Sequence, residues 1–129
     1  MTLDMYQERI MEHYERPYHR GALTAPTLEC HHHNPLCGDA VRVQARVDAA
    51  GRVAEAYFEG EGCVISLAAS SMLMTAVEGK SLEAIKAMTR QDMLDLLGIR
   101  LTAMRVKCAM LPLRALEKAI DLYEAEKSA

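Results

Sequence analysis

Three short stretches of this chain put thiols where a backbone can present them. Cys37-Gly38-Asp39 precedes an alternating run, Gly60-Glu61-Gly62-Cys63 follows one, and Cys108 stands before a helical pattern. Cys37 and Asp39 are two residues apart, so extended backbone at the mouth of a strand points both side chains the same way. Cys63 follows two glycines and leads into an apolar helix. The spacing puts Cys108 at or just before the start of the last helix, because Pro112 belongs in a first turn. Free N–H groups and the positive dipole end at a helix start favour a thiolate, which is both ligand and nucleophile. Three thiolates and one carboxylate make a four-donor set for a tetrahedral ion or an iron–sulfur cluster. A hard carboxylate in place of a fourth soft thiolate predicts a weaker, more exchangeable hold. The competing assignment makes the cysteines small core residues and Asp39 a turn residue. It suits Cys30, which has no glycine or helix start beside it, and suits the other three poorly when they are taken together.

The composition narrows the class of protein that carries these donors. The chain has 129 residues, one domain over 1–129. Half of it is apolar, which supplies a core rich in Met (nine) and poor in aromatics, with one Phe and no Trp. Fifteen Lys and Arg against eighteen Asp and Glu give a net charge of −3 with no basic block, which argues against nucleic acid as a partner. Asp4, Glu8 and Arg9 exclude a secretory apolar segment at the start. The longest uncharged run, Cys63 to Val77, holds 15 residues including three serines, too short and polar to span a bilayer. A cytoplasmic protein with reduced thiols is expected.

The elements that must position the donors are read from periodicity. Leu3, Tyr6, Ile10 and Tyr14 predict a helix over 3–15, closed by Pro17. Residues 17–36, with Gly21, Pro26 and Pro35, read as a long irregular connection. Val41, Val43, Ala45 and Val47 alternate with polar residues and predict a strand. A turn at Ala49-Ala50-Gly51 and a second strand from Arg52 to about Glu59 complete a hairpin. Arg42, Arg46 and Arg52 suggest a charged, solvated sheet face. Val64 to Glu78 is apolar nearly all round and reads as a buried helix stopped by Gly79, with Met72, Leu73 and Met74 in the core. Ser81 caps a short helix, Thr89 and Asp92 form a capping box, and Gly98 ends the helix they begin. Leu113, Leu116, Ile120 and Tyr123 share a face of the last helix. The order is α+β: a small antiparallel sheet covered by helices. His31-His32-His33 reads as a solvated loop, with a transient ligand or proton-transfer group as the sharper alternative, while His13 and His19 read as ordinary polar residues.

Asn34-Pro35-Leu36-Cys37-Gly38-Asp39, Gly60-Glu61-Gly62-Cys63 and Arg105-Val106-Lys107-Cys108 resemble the three motifs of the iron–sulfur cluster assembly scaffolds of the IscU/SufU/NifU N-terminal type. Met5 to Tyr14, with Pro17 after it, resembles the SufU branch. The resemblance covers nearly the whole chain. It implies that a cysteine desulfurase delivers sulfur as persulfide and that Cys37, Asp39, Cys63 and Cys108 hold metal or cluster. It also implies a three-stranded antiparallel sheet, whose missing strand falls around Cys30 to His33. Lys107 stands where IscU proteins carry His, as in SufU-like members. Only 44 residues separate Cys63 from Cys108, an IscU-like spacing. Leu101 to Lys107 does not match the chaperone-binding segment of IscU, so a dedicated Hsp70-type partner is doubtful.

Two functions follow as expectations. One is a scaffold that takes Fe²⁺ and persulfide sulfur, builds a labile [2Fe–2S] cluster and passes it to acceptor proteins. The other is a zinc-dependent sulfurtransferase, with Zn²⁺ in the same pocket. A structural zinc module is a third, disfavoured by Asp39. Zn²⁺ is expected in the protein as isolated, and Cys108 is the expected persulfide acceptor, on the strength of its helix start and of Lys107 beside it.

Overall fold

The computed structural model describes residues 3–35 and 38–128, with side chains from Gln7 to Lys127 in those stretches. Leu36 and Cys37 lie outside the described residues. Helix α1 (Leu3–Glu15) leads into an irregular segment, then strands β1 (Leu28–Asn34), β2 (Asp39–Val47) and β3 (Val53–Glu61) form one antiparallel sheet in the order β1-β2-β3. Helices α2 (Val64–Val77), α3 (Leu82–Lys86), α4 (Arg90–Leu97) and α5 (Ala103–Ser128) follow. The third strand is therefore the one that the resemblance requires. The irregular connection is shorter than its prolines suggest, and the three histidines lie in β1 rather than in a loop. His31 and His33 face solvent, and His32 is half-buried.

One face of the sheet makes the core. Leu28, Cys30, Val41, Val43, Ala45, Ala56 and Phe58 alternate inward and are buried. Helix α5 packs on β1 and β2, α2 packs on β3 and α5, and α1 packs on α2. Sandwiched in this way, α2 buries nine of its fourteen residues, which explains its apolar circumference. The hairpin turn is set by Asp48, whose Oδ1 accepts from the N–H groups of Ala50 (2.9 Å) and Arg52 (3.0 Å), while Gly51 takes φ 79°. Residues 19–21 cover the free edge of β3: Phe58 N–H donates to His19 O and Gly21 N–H to Phe58 O, both at 2.9 Å.

Several helix ends follow the sequence closely. Thr89 and Asp92 form the capping box, Ser81 caps α3 through Ala84 N–H, and Gly98 closes α4 at φ 73°. The start of α5 does not. It begins at Ala103, nine residues before Pro112, so Pro112 lies inside the helix and Cys108 in its second turn. Thr102 does the capping: its carbonyl accepts from Val106 N–H (2.9 Å) and its hydroxyl from Arg105 N–H (3.4 Å). Pro112 has no N–H to offer the carbonyl of Cys108 four residues back, a cost that a helix tolerates when the ring is packed in a core. Pro112 is buried.

Candidate metal centre

Register brings the first two donors together. Ala40 pairs with Glu61 across the β2–β3 ladder, which sets Asp39, one residue earlier, against Gly62 and Cys63 at the ladder's end. Asp39 is 3% exposed, and its Oδ1 accepts from Cys63 N–H at 3.1 Å. The Cys63 thiol donates to the other oxygen, Oδ2, at 3.4 Å. Gly62 makes this approach possible, since a Cβ there would stand 2.8 Å from the Asp39 carboxylate and 2.5 Å from Ser66 Oγ.

Cys63 is the N-cap of α2. Its sulfur accepts from Ser66 N–H at 3.5 Å, and the Ser66 hydroxyl donates back to Cys63 O at 3.1 Å. The helix start that the spacing assigned to Cys108 thus belongs to Cys63. Cys108 reaches the same place from the flank of α5, 1% exposed. One ligand atom each from Asp39, Cys63 and Cys108 lie within 4.8 Å of one another. A strand start, a helix cap and a helix interior converge on one point, and each supplies one donor. Cys37, the remaining expected donor, falls outside the described residues, and Cys30 is buried beneath α5, a thiol hydrogen-bonded to His31 O at 3.3 Å. Burial raises its pKa, with Lys118 opposing.

One member of this constellation escaped the sequence reading. The charge on Cys63 and a hydrogen bond to it, followed by the weaker equivalents at Cys108, hold the Arg105 guanidinium above its ordinary pKa. Arg105 lies in the first turn of α5, three residues before Cys108, so both project on one side of the helix. That i, i+3 spacing was visible, but only with the helix started at Ala103. Lys107, singled out instead, is exposed.

The donor chemistry fits a thiophilic divalent ion or cluster. Two sulfurs and a carboxylate oxygen are gathered, and two of the three residues are buried. Bound there, such an ion would supply Lewis acidity and charge neutralisation among otherwise repelling anions.

The NifU-like N-terminal domain family matches residues 5–129. The zinc-dependent sulfurtransferase SufU of Bacillus subtilis is 35% identical over 93% of this chain and 92% of its own. The iron–sulfur cluster assembly scaffold protein IscU of Haemophilus influenzae is 32% identical over 95% and 98%. Among solved structures, an iron–sulfur cluster assembly scaffold protein for the SUF system from Fervidobacterium islandicum superposes with a TM-score of 0.78, at 24% identity over 92% of this chain and 99% of that one. The latter likeness is one of fold.

Proposed function

The chain belongs to the NifU-like N-terminal family of iron–sulfur cluster assembly scaffolds, and on that premise we propose that it assembles a labile [2Fe–2S] cluster and passes it to acceptor proteins. The observation that carries this reading is the convergence of Asp39, Cys63 and Cys108 within 4.8 Å. Cys37 is the fourth ligand in this proposal, two residues before Asp39 in the sequence. The cargo is iron and sulfur. A cytoplasmic cysteine desulfurase supplies the sulfur as a persulfide. A thiolate of this chain attacks the terminal sulfur, the desulfurase's S–S bond breaks, and the desulfurase departs as a thiolate while this chain keeps the sulfane sulfur.

Cys63 is the favoured acceptor over Cys108. It is half-buried where Cys108 is closed, it stands at a helix start, and Arg105 is beside it to meet the charge that the attack moves. The single carboxylate then serves release, as the donor that binds soft iron least well.

The second reading is a zinc-dependent sulfurtransferase, favoured by the 35% identity to a relative of that name and by Lys107 before Cys108. That alignment runs over 137 positions against 129 residues here, so the relative carries residues that this chain lacks. Anaerobic reconstitution with ferrous iron, cysteine, a desulfurase and a thiol reductant, which supplies the electrons that take sulfane sulfur to sulfide, decides between them. A scaffold gains stoichiometric iron and sulfide with visible charge-transfer bands, and zinc-loaded protein alone supports little transfer. A sulfurtransferase gains no cluster and relays sulfur only when zinc is bound.

A further inference from the structure

Beside the donor set, a groove of about 610 Å³ runs between β1 and one face of α5. Its walls are cationic: Lys107 and Arg114 on α5, Arg90 at the start of α4, and His32 with His33 on β1. The floor is Val106, Met110 and Leu111, all buried. No carboxylate lines it. Arg114 shares an exposed ion pair with Glu117 at 3.3 Å, whereas Arg90, Lys107 and Lys118 have none among the described residues. Lys118, one turn beyond Arg114, and Arg114 itself act on His32, whose pKa is lowered by burial first and by these charges after it. A chain of net charge −3 has therefore collected positive charge, of which only Arg114 is paired among the described residues, in one concave strip that ends at Asn34, Pro35 and Lys107, next to the donors.

We propose that this groove docks an extended acidic segment of a partner protein, laying its carboxylates along Lys107 and Arg114. Those two residues are seven apart on one helix face, about 10 Å, which three extended residues span. The strip suits a short acidic peptide better than a nucleic acid. A polyanion longer than the groove would run onto a surface of net negative charge, and no Tyr, Phe or Trp lines the groove to stack a base.

Fluorescence anisotropy of a labelled hexapeptide, Asp-Glu-Leu-Asp-Glu-Leu, against the full-length protein tests the proposal. Saturable binding is expected that weakens about tenfold in Arg114→Glu and again in Arg90→Glu, and that fades in roughly 0.5 M salt. The milder Arg114→Gln gives an intermediate loss, and circular dichroism checks each fold. Binding that survives Arg114→Glu, that is absent altogether, or that inorganic phosphate displaces at equal concentration overturns the proposal. A decathymidine that binds more tightly than the peptide also overturns it. Iron, zinc and sulfur content need not change in any of these variants, so failure here leaves the cluster reading untouched.

Discussion

A methyl group is the finest probe of the donor set. At Gly62 it would meet the buried Asp39 carboxylate and Ser66, both pinned by their own hydrogen bonds, so Gly62→Ala should displace Asp39 from Cys63. At Gly60 it would stand 2.4 Å from the Ala40 carbonyl and split the β2–β3 ladder instead. Gly60→Ala is expected to cost about 1–3 kcal/mol by urea unfolding, and Gly62→Ala to lose zinc content with a smaller change in stability. Equal loss of both properties in the two variants would show that the glycines do one job. Asp39 separates two roles in the same way. Asp39→Asn keeps an acceptor for Cys63 N–H and drops the charge, while Asp39→Ala removes both. If the carboxylate keeps the site exchangeable, a reconstituted cluster should leave both variants more slowly than wild type, as followed by transfer to an apo-ferredoxin; faster release would make Asp39 a plain structural ligand. Asp39 and Cys63 were legible from glycine-flanked motifs because tight backbone approach demands glycine. Arg105 was not, because its role depends on which turn of α5 it occupies.

Helix ends decided which element-level readings stood. Caps written in side chains, at Ser81, Thr89 and Gly98, name their own helices. Pro112 misled because proline is commonest in a first turn, yet Thr102 carried the true start, and tertiary packing outweighed the missing N–H. The strand β1 had no clear alternation: Glu29, His31 and His33 face out, but only Leu28 and Cys30 are firmly buried between them. The docking of α1 depends on a polar clamp that periodicity does not report. His13 Nδ1 and Ser71 Oγ lie 2.7 Å apart, and Tyr18 N–H donates to the same hydroxyl at 2.8 Å. Burial, then Arg9, lowers the His13 pKa against the pull of Glu12. The folded chain therefore binds this proton less readily than the unfolded chain. Its contribution is whole above pH 6.5 and is lost as the pH falls through the lowered folded value. Melting temperature across pH 7.5 to 5 should fall less in His13→Gln than in wild type, and amide exchange in residues 9–15 should quicken first on acidification. Parallel curves would remove His13 from the α1 clamp.

At the scale of the molecule, an ion held by Asp39, Cys63 and Cys108 would tie together a strand, a helix cap and the long terminal helix. Binding to the folded chain alone stabilises it by about 2.7 kcal/mol at a hundredfold excess over Kd. Zinc-loaded protein should accordingly melt roughly 10 °C above chelator-treated protein. That difference should vanish in Cys63→Ser and persist in Cys30→Ser. A shift retained in Cys63→Ser would place the ion elsewhere. The same distribution of donors has a consequence for taking the molecule apart. The tight turn at Asp48–Gly51 is exposed and lies between Asp39 on one side and Cys63 and Cys108 on the other. A nick at that turn would leave two polypeptides, neither with the full set of donors. Ion capture would then report their reunion, so the chain is naturally partitioned as a split reporter whose signal is its own cargo.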